Sequence, residues 1–326
     1  MEYVLDVRGL EVRFFTYFGI VHAVNGVSYQ IGEGETVGVV GESGSGKSVS
    51  AMAVMGLVEQ PGYVTAGTIH FQGRDLLTLP DREWHKIRGN QITMCFQNPQ
   101  RALNPLMRIG KQLTRIYVTH KHARVEESRC RAVELLREVN IADAERVMNR
   151  YPHQLSGGMC QRVMTVMALM CEPRVLILDE PTTGLDVTVQ KQLLHLLRVL
   201  RDRTTASQML ITHDLGVVAN ICDVVVVMYA GRVMEQAPVE QLFARPMHPY
   251  TQSLLRAIPR VESRIVLHAI PGEVPEAMSL PLGCPFYPRC TSRMEVCEQF
   301  APDLATVANQ QQVAVACHLY GEEPNG

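Results

Sequence analysis

The sequence predicts an α/β fold in which helices pack on a mostly parallel sheet. Short apolar strands alternate with helical segments along most of the chain, which is the order of elements in such folds. A glycine-rich turn lies between one buried-strand candidate, 36–40, and a helical pattern over 48–58. Prolines crowd together after residue 235, and this composition predicts a tail with little regular structure.

The spacing of apolar residues predicts the other elements. Runs or alternations of apolar residues between glycines and polar breaks indicate strands. The predicted strands are 4–7, 12–15, 27–31, 36–40, 68–71, 91–96, 175–178, 209–211 and 224–228. Helical spacing extends from about residue 99 to residue 162 and returns over 189–200.

Length, composition and charge narrow the class of protein. A chain of 326 residues is expected to form roughly two domains, or one large domain with an appendix, and 46% hydrophobic residues suffice for a core. The formal net charge is -2 without a basic block, which argues against a nucleic-acid partner. No apolar stretch approaches the ~20 residues of a membrane helix, and residues 1–6 do not resemble a secretory signal. We therefore expect a soluble, cytosolic protein that reaches a membrane only through a partner.

A phosphate-binding motif follows the predicted strand 36–40. The pattern G-x-x-x-x-G-K-[ST] lies between an apolar strand and a helix, which is the context it requires. Its glycines let backbone N–H groups point at phosphate oxygens, and the helix N-terminus adds its positive end. Lys47 is expected to contact the β/γ-phosphates, and Ser48 to offer its hydroxyl to Mg²⁺. The motif, named here the phosphate loop, consists of Gly41, Glu42, Ser43, Gly44, Ser45, Gly46, Lys47 and Ser48.

An acidic pair ends the predicted strand 175–178. Asp179 is expected beside the phosphate loop, where it can hold Mg²⁺ directly or through water. Glu180 is then placed to polarise the attacking water as a general base. An acidic pair at a strand end is common, and only its combination with a phosphate loop indicates nucleotide hydrolysis.

A second anion-binding surface is predicted between these two motifs. Residues 155–162, named here the signature segment, read Leu-Ser-Gly-Gly-Met-Cys-Gln-Arg. Ser156 is expected to cap a helix, and Gly157 and Gly158 to expose backbone donors. One nucleotide does not need two such surfaces from one subunit. We therefore expect two subunits arranged head to tail, each signature segment covering the ATP of its partner.

Taken in this order, the motifs resemble those of ABC-type ATPases. The signature segment resembles the ABC signature, with Cys160 where relatives usually carry Arg. The resemblance implies that Gln97 senses Mg²⁺ and the membrane partner, and that His213 contacts the γ-phosphate. It also implies that Gly184, Leu185 and Asp186 form the D-loop.

The resemblance also implies that the adenine base stacks on an aromatic residue ahead of the phosphate loop. Phe18 fits this position, and Tyr17 is the alternative.

The resemblance implies an α/β P-loop NTPase (RecA-like) core with an antiparallel β subdomain, a helical signature subdomain and a short Pro/Cys-rich C-terminal extension. The β subdomain and the first part of the core, with the phosphate loop, are expected in 1–98. The helical subdomain is expected in 99–165, the second part of the core in 166–235, and an extension of the peptide-importer type in 236–326.

Five short runs resemble the oligopeptide, dipeptide and nickel importer branch of the ABC family. They are Phe96-Gln97-Asn98-Pro99 with Leu103-Asn104-Pro105, Tyr151-Pro152-His153-Gln154, Asp186-Val187-Thr188-Val189-Gln190, and His248-Pro249-Tyr250-Thr251. This resemblance implies an ATPase of the translocase type that powers peptide import, with nickel import as the alternative. It implies a second, homologous ATPase subunit in a heterodimer, two membrane-spanning permease subunits and an extracytoplasmic peptide-binding protein. The chain is then expected at the cytoplasmic face of the inner membrane, as a peripheral subunit.

Two other classes of function predict different features. An ABC ATPase acting on nucleic acid or ribosomes would carry two cassettes or a long coiled-coil insertion, and neither is present in the sequence. An iron- or redox-sensing regulator would instead use the cysteines of the tail. We expect an importer subunit to sediment with membranes, which distinguishes it from both.

The tail contains four of the nine cysteines, with the spacing C-x₅-C-x₆-C-x₁₉-C. Crowded cysteines in a cytosolic protein indicate a metal more often than disulfides. The spacing lacks the close C-x₂-C pairs of structural zinc, whereas a cluster tolerates longer gaps. The resemblance agrees, since several peptide-importer ATPases carry a similar cysteine set. A [4Fe–4S] cluster is the preferred interpretation, Zn²⁺ the second, and unliganded buried cysteines the third, for Cys284, Cys290, Cys297 and Cys317.

Overall fold

The structure, a computed structural model, describes residues 3–97, 102–184, 187–204, 206–257, 270–308, 310 and 312–320. Its chain contacts divide it into two compact units. The first unit contains Met1–Val4, Ile31–Glu35 and Thr78–Ile211. The second unit contains Leu5–Gln30, Thr36–Leu77 and Thr212–Gly326. The division into four regions expected from the sequence stays a prediction.

The strands are numbered in chain order. They are β1 Tyr3–Thr16, β2 Gly19–Gly32, β3 Thr36–Val40, β4 Gly62–Phe71, β5 Arg74–Asp75, β6 Ile92–Cys95, β7 Val175–Asp179, β8 Ser207–Ile211, β9 Val224–Tyr229, β10 Arg232–Pro238, β11 Ala305–Thr306 and β12 Ala314–Val315.

The helices are numbered in the same way. They are α1 Lys47–Val54, α2 Asp81–Ile87, α3 Ile109–Lys121, α4 Val125–Glu138, α5 Ala144–Met148, α6 Gly157–Leu169, α7 Val187–Thr204, α8 Leu215–Ile221, α9 Val239–Ala244, α10 Pro249–Arg256 and α11 Val296–Gln299. Within the described ranges, no helix combines the length and the apolar character needed to cross a bilayer.

A parallel sheet and a group of helices make up the first unit. Strand β7 pairs in parallel with β6 on one side and β8 on the other. All five residues of β7 are buried, which is why its first four residues are an unbroken apolar run rather than an alternation. Helices α3 to α6 pack on one another, and α6 also packs on β6. This arrangement fixes the strand end that carries Asp179.

The second unit contains a parallel pair of strands that is extended by antiparallel ones. Strand β3 pairs in parallel with β9, and β10 pairs with β9 in the antiparallel direction. Strand β12 then pairs with β10, and β11 with β12. Because β3 leads into the phosphate loop, this sheet supports the loop.

A separate antiparallel sheet, in the order β2-β1-β4-β5, contains two of the predicted strands within one. Residues 4–7 and 12–15 both belong to β1, whose pairing with β4 shifts register between Arg8 and Glu11. Such an irregularity changes which residues face the core. The apolar alternation therefore appears broken in the sequence although the strand is continuous.

The prediction of a tail with little regular structure is wrong for its first part. Helices α9 and α10 both lie after residue 235. Pro249 occupies the first turn of α10, where a missing N–H does no harm, so a proline here starts a helix rather than preventing one. The later residues 270–308 are mostly irregular, with short helices and strands.

The buried carboxylate of Glu235 ties α10 to the sheet. One oxygen accepts a hydrogen bond from Met247 N (2.9 Å) and the other from His248 N (2.8 Å). The ring of His248 then caps α10, because its Nδ1 accepts from Tyr250 N at 2.9 Å. Burial raises the pKa of Glu235 above its ordinary value. The run His248-Pro249-Tyr250 is thus a helix start held against β10.

Three buried aromatic rings join the tail to the core of the second unit. Tyr229 ends β9, Tyr250 lies on α10, and Phe286 belongs to the cysteine-containing segment. The ring centroids are 4.6 Å apart for Tyr229 and Tyr250, 5.4 Å for Tyr229 and Phe286, and 5.3 Å for Tyr250 and Phe286. The tail therefore adds side chains to an existing core instead of building its own.

We predict that Phe286→Ala lowers the free energy of unfolding by about 3–5 kcal/mol, because it empties a site among packed rings. Phe286 is 1% exposed, whereas Phe300 in the same segment is 55% exposed. Phe300→Ala is therefore the matched control and should change stability by less than about 1 kcal/mol. Urea unfolding followed by fluorescence measures both variants. Equal losses of unfolding free energy from the two substitutions would contradict the packing of Phe286 among the buried rings.

Candidate functional site

The phosphate loop connects β3 to α1 in the second unit. The ammonium of Lys47 is buried and donates to the carbonyl oxygens of Gly41 (2.8 Å) and Glu42 (2.9 Å) and to Ser45 Oγ (3.2 Å). The loop therefore wraps around its own cation. A bound phosphate would present its oxygen atoms to Lys47 in place of these acceptors. The loop is therefore shaped for an anion.

Gly46 makes the turn from the loop into α1. Its φ of 92° is in the left-handed region, and a Cβ at this position would lie 2.4 Å from Ala23 O. A side chain is therefore excluded on both grounds. Gly46 is the N-cap of α1 and has no side chain with which to cap it. The positive end of the helix is thus turned to the loop, which suits a phosphate.

His213 and the aromatic pair also belong to the second unit. His213 is exposed and stands between β8 and α8. Thr212 N donates to Val39 O at 3.2 Å, so His213 directly follows a residue bonded to the strand that enters the phosphate loop. Tyr17 and Phe18 form the turn between β1 and β2 and are 98% and 87% exposed, with ring centroids 5.6 Å apart. Both rings are open to a flat ligand, and Tyr17 remains an alternative to Phe18.

Asp179 and Glu180 belong to the first unit, where β7 ends. Asp179 is 5% exposed. Glu180 adopts φ 49°, a conformation that is strained for a residue with a side chain. Its N–H donates to Ile211 O (2.9 Å), and its carboxylate accepts from Thr183 Oγ1 (3.0 Å). The strained backbone and these two hydrogen bonds fix the direction in which the carboxylate leaves the strand.

The signature segment opens α6 in the same unit. Ser156 is the N-cap of this helix, and its Oγ accepts from Met159 N at 3.3 Å. Ser156 and Gly157 are exposed, and Gly158 is half-buried. Cys160 lies on the buried face, where its thiol donates to Pro152 O at 3.6 Å and burial raises its pKa. The residue that departs from the family pattern therefore packs inward, away from the exposed helix start.

Two predicted site residues lie near or beyond the limits of the described ranges. Gln97 is exposed and follows β6 by two residues. Residues 98–101 are outside the described residues, as are Leu185 and Asp186. The D-loop assignment therefore stays a prediction.

The four cysteines of the tail line one pocket together with His248 and His318. Burial raises the pKa of Cys284 and of Cys317 to about 11, and it also raises the pKa of Cys290. All nine cysteines lie in the described ranges, and none of them is in a disulfide. Across the residues that the structure describes, however, no three His, Cys, Asp or Glu side chains are arranged so that they could hold a metal ion. The four thiols therefore line one pocket without forming a metal geometry among the described residues, and the metal assignment stays a prediction.

Sequence reasoning missed three residues that act on the loop or the tail. Glu42 occupied a variable position of the motif, and Glu235 stood seven residues after the predicted strand 224–228 with no motif of its own. Arg289 stood beside Cys290 with no motif of its own. The contact of Arg289 with Glu42 spans 247 residues of sequence, so no local pattern reveals it.

Two family descriptions match this sequence. The description "ABC transporter" matches residues 24–183. The description "Oligopeptide/dipeptide transporter, C-terminal region" matches residues 234–297.

Known proteins are similar to the chain along nearly its whole length. The oligopeptide transport ATP-binding protein AppD of Bacillus subtilis (strain 168) is 47% identical over 325 residues, which are 99% of this chain and 98% of AppD. The oligopeptide transport ATP-binding protein OppD of Haemophilus influenzae is 49% identical over 312 residues, which are 95% of this chain and 96% of OppD. The dipeptide transport ATP-binding protein DppD of Bacillus subtilis (strain 168) is 47% identical, and the match covers 93% of this chain and 91% of DppD.

Solved structures with the same fold are ABC cassettes. A dimeric structure of MJ0796, a bacterial ABC transporter cassette, has a TM-score of 0.66 and 28% identity and covers 72% of this chain and 98% of that chain. CbiO1 of Clostridium perfringens, part of the ABC transporter complex CbiONQ, has a TM-score of 0.62 and 28% identity and covers 75% of this chain and 92% of that one.

Proposed function

The chain belongs to the ABC transporter family, and on that premise we propose that it is the ATP-hydrolysing subunit that powers import of oligopeptides or dipeptides across a membrane. One observation carries the proposal. The same chain matches the ABC transporter family over 24–183 and the oligopeptide/dipeptide C-terminal region over 234–297. The relatives named for oligopeptide and dipeptide transport favour a peptide cargo over nickel.

ATP binding is assigned to the phosphate loop and the exposed aromatic pair. Lys47 would exchange loop oxygens for oxygens of the β/γ-phosphates, while N–H groups at the start of α1 hold the same phosphates. Phe18, or Tyr17 in its place, would stack on adenine. Asp186 of the D-loop and the signature residues Ser156, Gly157 and Gly158 would complete the nucleotide contacts.

Hydrolysis is assigned to Glu180, His213 and Gln97. Glu180 would take the proton of the attacking water, since its carboxylate is held in a fixed direction. His213 would contact the γ-phosphate, and Gln97 would sense Mg²⁺ and the membrane partner. When Mg²⁺ is bound, it neutralises part of the phosphate charge. The oxygen donors of Ser48, Asp179 and Gln97 are of the kind that this ion prefers.

The active form is proposed to be a dimer of ATPases in a larger complex. Exposure of Ser156 and Gly157 at the start of α6 supports a signature segment that covers the ATP of a partner subunit. A similar cassette, MJ0796, has been solved as a dimer. We assign a second, homologous ATPase subunit, two permease subunits and, through them, an extracytoplasmic peptide-binding protein. The chain would be peripheral, at the cytoplasmic face of the membrane.

We also propose that the cysteine pocket holds a [4Fe–4S] cluster, with Zn²⁺ as the alternative. Four thiol side chains line one pocket, and thiolates are the ligands of such clusters. Cys284, Cys290, Cys297 and Cys317 would hold the group. Its role would be structural, because ATP hydrolysis needs no electron.

We predict that Glu180→Gln keeps ATP binding but lowers hydrolysis by about 10²–10⁴-fold, since a positioned general base contributes this much. ATPase activity is measured in the assembled complex, with the second ATPase subunit inactivated in its own phosphate loop. Uptake of a labelled dipeptide into cells that carry each variant is measured in parallel. Exposed Glu134, replaced by Gln, is the control. Normal hydrolysis by the Glu180→Gln variant would show that Glu180 is not the general base. Normal peptide uptake without ATPase activity would refute the proposed function.

We predict that Ser156→Arg lowers hydrolysis by about 10²-fold at the ATP whose phosphate loop belongs to the partner subunit, because a bulky cation replaces a helix start that donates to the phosphates. Hydrolysis at that single site is measured in complexes whose other site carries the Glu180→Gln substitution. Exposed Ser279, replaced by Arg, should have no effect. Full activity of dilute, purified monomer would contradict the head-to-tail arrangement.

We predict that protein purified without oxygen is brown and contains about four iron and four sulfide atoms per chain. Cys290→Ser should remove the colour, whereas Cys130→Ser, which changes an exposed cysteine outside the pocket, should keep it. Metal and sulfide analysis with the absorption spectrum measures both. Colourless protein with one zinc would overturn the cluster but keep the site, and metal-free protein with an ordered tail would overturn both.

A further inference from the structure

The side chain of Arg289 is 4% exposed and uses every hydrogen-bond donor that a guanidinium has. Nη1 donates to Glu42 Oε2 (2.6 Å) and to the hydroxyl of Tyr229 (3.2 Å). Nη2 donates to Glu42 Oε1 (3.1 Å) and Ile270 O (3.1 Å), and Nε donates to Pro271 O (3.0 Å). Five N–H groups thus meet five acceptors, which is the condition under which a charged group can be buried.

The geometry of this contact requires an arginine. Two parallel N–H groups bind the two carboxylate oxygens of Glu42, a fork that an ammonium cannot reproduce. The backbone also approaches closely, because a Cβ on Gly272 would lie 3.2 Å from Arg289 Cγ, and Gly272 has φ 81°. The segment around residues 270–272 is therefore folded around this one side chain.

Glu42 lies inside the phosphate loop and is held at three points. Arg289 binds its carboxylate, its N–H donates to the hydroxyl of Tyr250 (2.9 Å), and its carbonyl oxygen accepts from Lys47 Nζ (2.9 Å). Lys47 is the cation assigned to the β/γ-phosphates. Through Glu42, the tail thus contacts the backbone carbonyl to which Lys47 is hydrogen-bonded.

The carboxylate of Glu42 is also a negative charge within a loop that must receive a polyanion. Like charges within one loop repel each other, and the repulsion is stronger where burial lowers the local dielectric constant. Glu42 is 26% exposed, so water screens its charge only in part. The guanidinium of Arg289 cancels this charge where it stands.

We propose that Arg289 is a positioning residue for nucleotide binding: through Glu42 it holds the phosphate loop in its phosphate-accepting shape and neutralises the carboxylate beside it. This inference rests on the proposed function, because it assumes that the phosphate loop binds ATP. It adds a residue of the C-terminal extension, with a stated role, to the nucleotide site.

The test measures affinities of the purified full chain for ATP, ADP and AMP by calorimetry, without hydrolysis. Arg289→Met should weaken ATP binding by about 10-fold, the scale of one misplaced binding group. The loss should be smaller for ADP and smallest for AMP, because repulsion by the exposed charge of Glu42 grows with the number of phosphates. Arg289→Lys should keep the charge but lose the fork, and should fall between Met and the wild type.

The rescue experiment separates the neutralisation of Glu42 from general damage to the fold. Glu42→Gln added to Arg289→Met removes the unneutralised charge and should restore most of the ATP affinity. Arg293→Met is the matched control, since Arg293 lies in the same segment, is exposed and stacks on Tyr287 (5.8 Å from guanidinium carbon to ring centroid). Urea unfolding of every variant shows which ones remain folded.

The outcomes are distinct. If the wild-type chain does not bind ATP, the proposed function itself fails. If it binds ATP and Arg289→Met behaves as Arg293→Met does, the inference is overturned. Equal losses for ATP, ADP and AMP without rescue by Glu42→Gln would likewise overturn it, since they indicate only a folding role.

Discussion

The buried ion pair between Arg289 and Glu42 determines how the C-terminal extension joins the rest of the second unit. Removing two charges from water is expensive, and their attraction compensates only if the remaining donors are also satisfied. That condition requires Tyr229, Ile270 and Pro271 to be in place at once. A buried ion pair of this kind adds little net stability, and its five partners specify the docking seen in the structure.

Apolar packing provides the stability that the ion pair does not. The rings of Tyr229, Tyr250 and Phe286 lie within 5.4 Å of one another, centroid to centroid, and all are buried. Glu235 holds the start of α10 beneath them with two backbone hydrogen bonds. The extension packs into the core of the second unit, so a metal in the cysteine pocket would add order to a segment that is already anchored.

Local patterns predicted what local physics determines. Apolar runs located β3, β7 and β9 to within a residue or two, and the glycine-lysine spacing located a strand, loop and helix in the right order. Patterns failed where the decisive contact is distant in sequence. Because of the irregularity in β1, one strand was predicted as two. Helix α9 lies in a proline-rich region, a composition that usually marks a loop. Neither the partner of Glu42 nor the left-handed conformation of Glu180 has any signature in the neighbouring residues.

The position of Arg289 next to Cys290 has a mechanical consequence. Consecutive Cα atoms are about 3.8 Å apart across a trans peptide, so Cys290 cannot be displaced far without moving Arg289. The two residues lie at the end of the short helix Tyr287–Arg289, which leaves little slack between them. A displacement of Cys290 therefore bears on Arg289, which binds Glu42 in the phosphate loop. Cys317 instead follows β12, which pairs with β10, so the chain joins it to the sheet rather than directly to Arg289. Cys290 is thus the pocket cysteine that lies next in sequence to the residue in contact with the phosphate loop.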